Sequence, residues 1–338
     1  MSELGLHKEI DMLNAKISGI ASYVPDYILD NEELSRMVDT NDEWITTRVG
    51  IKERRILKDP DKASSYMGVQ AVEKLLAETG TKKEDIELLI CATSNPDYRF
   101  PSTASVIAHE SGLTNAYAYD IQAACAGFLV SMQAARGYIQ AGLNKKIIVV
   151  CAEKMSSMTD YQDRATCPLF GDAAAAVLVE PTDEPVGVMD GEFHVDGSGL
   201  HNLVMKAGGS ALPASHETVD AREHYIYQEG RVVYKNAVRD MLSSTLSVMK
   251  RNNLSVDDVD WLVPHQANLR IIEAVSGRTG IDPEKVLINI QHYGNTSAAS
   301  IPLCLDEFKN RIKKGDKIMM TAFGAGFTWG AMYLVWAI

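Results

Sequence analysis

Hydrophobic and polar positions follow two different periods along the chain, and these periods predict strands that alternate with helices. Short apolar runs within "KKEDIELLICATSN" and "AGLNKKIIVVCAE" are typical of buried strands. Longer segments, "MGVQAVEKLLAETG" and "AVRDMLSSTLSVMKRNN", place apolar residues at helical spacing. Strands that alternate with helices in this way predict a layered α/β protein whose sheets are covered on both faces.

The same pattern occurs twice, in the same order. "KKEDIELLICATSN" pairs with "SVDDVDWLVPHQAN", "YAYDIQAACAGFL" with "VLINIQHYGNTSAASIPL", and "AGLNKKIIVVCAE" with "KKGDKIMMTAFG". Coincidence between ordinary strand–helix units is the alternative, but three ordered pairs favour a duplication. We therefore expect an N-terminal extension over residues 1–15 and two α/β halves, residues 16–180 and 185–338.

Composition narrows the class of protein without identifying it. The chain has 338 residues, of which 46% are hydrophobic and 23% are charged, as in an ordinary globular protein. No apolar run approaches the roughly 20 residues that span a bilayer, and the polar start is neither a secretory signal nor a transit peptide. We therefore expect a cytoplasmic protein. The net charge of −12 argues against a general nucleic-acid binder.

The five cysteines suggest neither a disulfide framework nor a metal site, because they are scattered and no two form a CxxC pair. One of them, Cys125, lies among small residues where a strand pattern gives way to a helix. A cysteine is often only an inert core residue. The small neighbours leave room for a substrate, however, and we expect the helix N-terminus to lower the pKa of the thiol and so favour the reactive thiolate.

Two polar residues of the second half occupy similar turns. His265 follows a predicted strand in "WLVPHQANLRII", and Asn295 precedes a predicted helix in "HYGNTSAAS". Each has an ordinary structural explanation, as a turn residue or as a helix cap. If the two halves are related by a pseudo-twofold axis, Asn295 is the counterpart of Cys125. In that arrangement the three side chains converge on one site.

Six stretches together resemble one family across nearly the whole chain. This family is β-ketoacyl-[acyl-carrier-protein] synthase III, the initiating condensing enzyme of dissociated fatty acid synthesis, within the thiolase-like superfamily. The resemblance implies a five-layered αβαβα fold of two related halves. The stretches are "VDTNDEWITTRVGIKERR", "AACAGF", "FGDAAAA", "WLVPHQANLRII", "HYGNTSAAS" and "FGAGFTWG".

The resemblance implies a catalytic set of Cys125, His265 and Asn295. In this family the cysteine takes the acyl group from an acyl-CoA primer, and malonyl-carrier protein then loses carbon dioxide and attacks the acyl-cysteine. His265 and Asn295 would donate hydrogen bonds to the charge that develops on the malonyl thioester. The backbone N–H groups of Cys125 and Ala325 would hold the second oxyanion. Ala325 stands where the family pattern has glycine, which raises the question of whether the loop conformation is kept.

The same resemblance places coenzyme A on four residues and requires no metal and no permanently bound cofactor. Trp44 and Arg164 would stack on the two sides of the adenine, and Arg48 would lie near the phosphates. Asn268 would order the site through a water molecule. The sequence around Arg164, "QDRATCPLFGD", departs from the family pattern beyond the arginine.

Two protein partners are also implied. Phe100 in "RFPSTAS" matches a residue that closes the acyl tunnel of the other subunit in a homodimer. An acidic acyl carrier protein would dock on a patch formed by Lys235, Arg270 and Arg231. No partner in a membrane or among nucleic acids is expected.

Other functions are compatible with parts of this pattern. A papain-type hydrolase also uses Cys, His and Asn in this chain order, but its local signature around the cysteine is absent. A thiolase, a hydroxymethylglutaryl-CoA synthase, a ketosynthase that primes a specialised metabolite, and a non-catalytic scaffold are further alternatives. The preferred primer, whether acetyl, branched or longer, is not specified by the sequence. Residues 206–230 are longer than this family usually has and are expected to form part of the tunnel roof.

Overall fold

The protein is described here by a computed structural model that covers residues 13–338. The strands are β1 (Asn14–Tyr23), β2 (Ile28–Asp30), β3 (Glu53–Arg55), β4 (Leu88–Ala92), β5 (Tyr117–Ile121), β6 (Ile147–Glu153), β7 (Ala173–Thr182), β8 (Gly187–Val195), β9 (Leu203–Met205), β10 (Ile226–Gln228), β11 (Trp261–Pro264), β12 (Lys317–Gly324) and β13 (Thr328–Val335). The α-helices are α1 (Asn31–Ser35), α2 (Asp42–Val49), α3 (Ser64–Thr79), α4 (Thr103–Glu110), α5 (Gly127–Gln140), α6 (His216–Asp220), α7 (Gly230–Arg251), α8 (Leu269–Thr279), α9 (Ile290–Tyr293) and α10 (Ser300–Phe308).

The first half of the chain forms a five-stranded mixed sheet in the order β1-β7-β6-β4-β5. Strands β6, β4 and β5 run parallel, and β7 pairs antiparallel with both β6 and β1. Every residue of β4 and β6 is buried. This burial explains why both strands are continuous apolar runs rather than alternating ones.

The second half repeats this strand order. Its sheet runs β11-β12-β13-β8, with β11 and β12 parallel and the other pairs antiparallel. Beyond β11, Val286 forms an isolated parallel bridge with Leu262, in the place that β5 takes beside β4. The order β5-β4-β6-β7-β1 is therefore matched element by element, and the predicted duplication is confirmed.

The two sheets are stacked with helices between and outside them, in five layers. Helices α3 and α4 cover the outer face of the first sheet, and α7 and α8 cover the outer face of the second. Helices α5 and α10 lie between the sheets. Side chains from them, such as Phe128 and Leu305, share one buried core with Ile90 of β4 and Met320 of β12. The predicted αβαβα arrangement is confirmed.

The expected chain divisions differ slightly from the observed elements. Residues 1–12 of the predicted extension lie outside the described residues, and β1 already begins at Asn14, inside that extension. Strand β7 continues to Thr182, two residues past the expected end of the first half. The division into halves at 16–180 and 185–338 itself stays a prediction.

Across residues 13–338, no helix combines the length and apolarity that a bilayer crossing requires.

Candidate active site

Cys125 lies in a tight 3₁₀ turn, residues 124–126, that leads directly into α5. The turn begins with Ala124 at φ +45°, a left-handed conformation that a residue with a Cβ rarely adopts. This sharp turn separates the cysteine from β5 before it and from the largely buried helix α5 after it. Its side chain is consequently partly accessible, unlike those of the other four cysteines, which are buried.

Two glycines allow this turn to be closely packed. A Cβ on Gly324, the last residue of β12, would lie 2.6 Å from the backbone N of Cys125. A Cβ on Gly127 would lie 3.0 Å from Cβ of Ala92 and 3.2 Å from Cβ of Ala298. The cysteine turn is therefore held against the end of the second sheet and against the equivalent turn of the other half.

The pseudo-twofold relation expected for Asn295 is wrong in its register. In the second half, a 3₁₀ turn at residues 297–299 leads into α10, and it begins with Ser297 at φ +50°. Ser297 thus corresponds to Ala124, and Ala298 is the counterpart of Cys125. The sequence match between the two Ile-Gln pairs was misleading, because Ile290 begins the additional short helix α9.

The thiol environment also differs from the expectation. Burial is the main reason why the pKa of Cys125 is raised to about 12, and the nearby carboxylate of Glu153 raises it further. Because α5 begins only at Gly127, the thiol lies before the helix rather than on its first N–H groups. The resting cysteine is a neutral thiol.

His265 follows β11, and its backbone N–H donates to the carbonyl of Thr321 at 2.8 Å. Burial lowers its pKa to about 3, so the imidazole is neutral near pH 7. Its Nδ1 lies 2.7 Å from Oγ of Ser300, which also accepts the N–H of Gln266 at 3.3 Å. With one acceptor site of that oxygen occupied, the serine hydroxyl is best satisfied by donating to Nδ1, which leaves Nε2 protonated. His265 is thus prepared as a neutral hydrogen-bond donor.

Asn295 is fixed by its backbone and by its own side-chain oxygen. Its N–H donates to Leu169 at 2.7 Å, and its carbonyl accepts from Gly171 at 3.1 Å. Its Oδ1 accepts the N–H of Ser297 at 2.8 Å. Since a backbone N–H can only donate, this bond orients the amide and turns its NH₂ group away from Ser297. Asn295 therefore offers a donor rather than an acceptor.

All three side chains line one cavity of about 1430 Å³, which also borders Ala325 and Asn268. The structure thus brings Cys125, His265 and Asn295 to a common space. The cavity wall includes Ala207, Ile226 and Gly230 from the segment 206–230, in agreement with its expected place along the tunnel. A cavity lined by a nucleophile and two neutral donors is suited to chemistry on a thioester.

Two of the residues expected to bind coenzyme A, Arg48 and Arg164, lie beside Trp44 on α2. The guanidinium carbon of Arg164 is 4.9 Å from the centre of the Trp44 ring, and that of Arg48 is 5.6 Å away. Arg164 also pairs with Asp39 at 3.5 Å. Arg48 lines the cavity. Asn268 caps α8, with its Oδ1 accepting the N–H of Arg270 at 2.9 Å.

Ala325 lies in the turn between β12 and β13 and is not among the residues with positive φ. The alanine Cβ therefore causes none of the backbone strain that the replacement of glycine suggested.

Phe100 is 86% exposed, an unusual state for such a large apolar side chain. Arg231, Lys235 and Arg270 are exposed on α7 and α8, and the two arginines line the cavity.

Three further residues of the site were not singled out from the sequence. Ser300 orients His265, Ser297 orients Asn295, and Glu153 is a fully buried carboxyl group near the thiol. The available signal for Glu153 was a lone acid at the end of the wholly apolar run "IIVVCAE". Charged groups are almost never fully buried unless other groups stabilise them.

Comparison with known proteins agrees with this geometry. Residues 119–197 match the family model for 3-oxoacyl-[acyl-carrier-protein (ACP)] synthase III, and residues 249–336 match the model for its C-terminal part. The chain is 55% identical over 328 residues to the beta-ketoacyl-[acyl-carrier-protein] synthase III of Porphyromonas gingivalis strain W83, covering 97% of this chain and 98% of that protein. It is 56% identical over 327 residues to synthase III 2 of Bacteroides thetaiotaomicron, with the same coverage.

Solved structures give the same result. The 3-oxoacyl-[acyl-carrier-protein] synthase III of Aquifex aeolicus VF5 superposes with a TM-score of 0.87 at 41% identity, covering 95% of this chain and all of that one. The priming beta-ketosynthase of the R1128 polyketide pathway superposes with a TM-score of 0.88 at 32% identity, covering 96% and 97%.

The fold and the site thus define a thiolase-like condensing enzyme of the acyltransferase class. Within that class, the chain belongs to the β-ketoacyl-[acyl-carrier-protein] synthase III family.

The buried neutral state of His265 predicts a measurable pH dependence of stability. Its pKa is about 3 in the folded protein and about 6.5 when unfolded, so the unfolded state binds the proton first as pH falls. Between about pH 7.5 and pH 5, this residue should remove about 2 kcal/mol from the free energy of unfolding. Glu153, whose pKa is raised to about 7, acts in the opposite sense, because its destabilising burial is relieved on protonation. A comparison of variants is therefore needed.

Urea unfolding followed by circular dichroism should show that His265→Gln loses about 2 kcal/mol less than the wild type over this interval. His109→Gln, which changes an exposed histidine on α4, should behave like the wild type. Equal pH dependences for His265→Gln and the wild type would contradict the neutral buried state.

Proposed function

We propose that this chain catalyses the decarboxylative condensation of an acyl-CoA primer with malonyl-[acyl-carrier protein], which gives 3-oxoacyl-[acyl-carrier protein] and initiates fatty acid biosynthesis. The acyl group is carried on Cys125. The observation that supports this most strongly is the common cavity of Cys125, His265 and Asn295. In that cavity, the thiol is accompanied by two side-chain donors that are uncharged near pH 7.

The first half-reaction transfers the acyl group to sulfur. As Cys125 attacks the thioester, negative charge develops on the acyl oxygen. The backbone N–H groups of Cys125 and Ala325 receive this charge, since both residues line the cavity and Gly324 keeps the two segments in contact. Neither role depends on a side chain at position 325, so alanine is compatible with it.

The second half-reaction is the loss of carbon dioxide from the malonyl group. The electrons of the broken C–C bond pass to the thioester oxygen, which needs donors already aimed at it. The Nε2–H of His265 and the NH₂ of Asn295 fill this role. A neutral histidine suits the step, because it stabilises the enolate oxygen without first attracting a counter-ion into the dry site. The carbanion then attacks the acyl group on Cys125.

Coenzyme A enters the cavity beside the cations Arg48 and Arg164. Its adenine inserts between Trp44 and Arg164, with Arg48 near the phosphates and Asn268 ordering the inner site. An inserted ring needs about 7 Å, two contact distances of roughly 3.5 Å, whereas the present separation is 4.9 Å. Arg164 therefore moves outward on binding and gives up its direct stacking on Trp44. The enzyme has acyl-CoA as a substrate and no permanently bound cofactor.

The carrier protein docks on the patch formed by Arg231, Lys235 and Arg270. These cations stand out against the chain's net charge of −12, and two of them border the cavity that the carrier's thioester must enter. A patch of this kind would attract an acidic carrier and orient its approach. The enzyme works as a cytoplasmic homodimer, in which the exposed Phe100 of each subunit closes the tunnel of the other.

We do not favour a role in priming a specialised metabolite. The synthase III enzymes of Porphyromonas gingivalis and Bacteroides thetaiotaomicron are 55% and 56% identical to this chain, whereas the polyketide-priming ketosynthase is 32% identical. A Cys-His-Asn hydrolase is also disfavoured, because its histidine acts as a base, and burial lowers the pKa of His265 to about 3.

Replacing Asn295 should separate the two half-reactions. Asn295→Ala removes a decarboxylation donor but leaves the thiol in place, so it should still form the acyl adduct seen in the intact mass. Its rate of carbon dioxide release from malonyl-carrier protein should fall by about 10²- to 10³-fold. Cys125→Ser is the control that should form no adduct with any acyl-CoA in a panel of acetyl, branched and longer primers. Full condensation by Asn295→Ala would refute the role given to its amide.

Reversing the charge of one residue in the docking patch tests whether the carrier protein binds there. Arg270→Glu should raise the KM for malonyl-carrier protein about tenfold at low salt, because an attraction becomes a repulsion. Acylation by acyl-CoA should change little. Arg278→Glu is a matched control on the same helix, exposed but outside the cavity lining. An unchanged KM in Arg270→Glu, or an equal rise in both variants, would exclude Arg270 from the patch.

A further inference from the structure

Arg54 carries a buried charge that the mechanism has not used. It is the middle residue of β3 and is 0% exposed. Burial lowers its pKa to about 10, so the guanidinium is still charged near pH 7. A buried charge is costly unless hydrogen bonds stabilise it. The groups that accept from Arg54 therefore show which part of the molecule it supports.

The guanidinium joins two parts of the chain that are distant in sequence. Its Nη1 donates to the carbonyl of Leu29 at 3.1 Å and to Oδ1 of Asn31 at 2.9 Å. Its Nη2 donates to the carbonyl of Pro168 at 2.7 Å. All three acceptors are uncharged, and the planar guanidinium binds such acceptors at fixed angles. Arg54 thus attaches the segment 168–171 to the hairpin of β2 and β3.

The segment 168–171 holds the backbone of Asn295. The carbonyl of Leu169 accepts the N–H of Asn295 at 2.7 Å, and the N–H of Gly171 donates to the carbonyl of Asn295 at 3.1 Å. Leu169 directly follows the residue whose carbonyl binds Arg54. The position of the Asn295 amide in the cavity therefore depends on where Arg54 holds this segment.

The aliphatic part of Arg54 packs where this segment meets the chain at Asn295. A Cβ on Gly171 would lie 3.1 Å from Cβ of Arg54, and a Cβ on Gly294 would lie 3.4 Å from it. A Cβ on Gly171 would also lie 2.2 Å from the carbonyl oxygen of Tyr293. The two glycines thus allow close contact among all three parts. A shift of Arg54 would reach Asn295 through this packing as well as through hydrogen bonds.

The helix that carries Trp44 is held separately. Nδ2 of Asn31 donates to Oδ1 of Asp42, the first residue of α2, at 2.8 Å. It also donates to the carbonyl of Ile51 at 2.8 Å. Neither bond uses Arg54. Removing the guanidinium therefore leaves α2 attached and should affect acylation by acyl-CoA less than decarboxylation.

We propose that Arg54 is a positioning residue for decarboxylation. Its guanidinium fixes the segment 168–171, and this segment keeps the NH₂ group of Asn295 aimed at the malonyl thioester oxygen. Arg54 does not line the cavity and acts only through Asn295. This inference rests on the proposed function, in which the Asn295 amide stabilises the developing enolate. A donor displaced by about 1 Å can cost on the order of 10²-fold in rate.

The test compares the two half-reactions in Arg54→Met, which keeps much of the apolar side chain but removes the donors. Acetyl-, isobutyryl- and octanoyl-CoA are compared first, and the one that acylates the wild type fastest is used as the primer. Rates are expressed per Cys125 that forms the acyl adduct, so unfolded protein does not count. The kcat for carbon dioxide release from malonyl-carrier protein should fall by about 10- to 10²-fold. The KM for malonyl-carrier protein and the acylation rate should stay within about threefold of the wild type.

The Asn295→Ala background distinguishes positioning from general support of the fold. If Arg54 acts through the amide, Arg54→Met should change carbon dioxide release by less than about twofold in a protein that already lacks the amide. An arginine that only supports the fold would lower the rate by the same factor in both backgrounds. Arg55→Met is the matched control on β3. The Arg55 side chain donates to the carbonyl of Pro25 at 3.4 Å, and its replacement should keep the wild-type rates.

Arg54→Lys carries the test if Arg54→Met fails to fold. Lysine keeps the buried charge on a similar stem but lacks the planar fork that reaches acceptors on both sides. The kcat for carbon dioxide release should fall by about three- to tenfold, and this loss should also disappear in the Asn295→Ala background.

Three results in the folded Arg54 variant would overturn the inference and leave the proposed function intact. These are a wild-type kcat for carbon dioxide release, an equal loss of acylation and decarboxylation, and the same loss with and without the Asn295 amide. A wild-type protein that forms no adduct with any of the three thioesters would instead overturn the proposed function, and the role of Arg54 with it.

Discussion

The site depends on the close contact of two short turns, residues 124–126 and 297–299, that begin the central helices of the two halves. Only small residues permit this contact: Cβ atoms of Ala92 and Ala298 lie within 3.2 Å of where a side chain on Gly127 would begin. Each turn starts with a residue in the left-handed region, which is costly for Ala124 and Ser297 and is maintained by the packing around them. The five layers bury the second turn completely and leave Ala124 and Cys125 of the first turn partly accessible. The contact between the two turns therefore brings residues of both halves to one cavity.

The same burial shifts the pKa values of three titratable groups at or near the site: Cys125, His265 and Glu153. It raises the pKa of the thiol, lowers that of the imidazole, and brings that of Glu153 to about 7. A dry site makes neutral donors effective, because few water molecules compete for the developing charge. It also makes a free thiolate expensive.

Much of this arrangement could be predicted from the sequence, and the failures have physical causes. The repeat predicted two related α/β halves, and the family resemblance implied the five layers. The strand ends and turns of three motifs pointed to Cys125, His265 and Asn295, and the resemblance implied their roles. The register between the halves was wrong, since α9 adds a helical turn after the second Ile-Gln pair. The predicted lowering of the Cys125 pKa was wrong, because the local sequence shows where a helix begins but not how deeply the thiol is buried. Ser300 was missed because its role comes from His265, a partner that is distant in sequence.

The central claim, that close contact between segments builds the site, is tested most directly by the acylation rate of Gly324→Ala. The added Cβ would lie 2.6 Å from the backbone N of Cys125, so the hairpin must retreat from the nucleophile turn. Gly137→Ala, on α5 with no atom within 4 Å of the added Cβ, controls for the loss of a glycine. We predict that both variants fold and that only Gly324→Ala loses acylation, by on the order of 10²-fold or more. A wild-type acylation rate in Gly324→Ala would contradict the account.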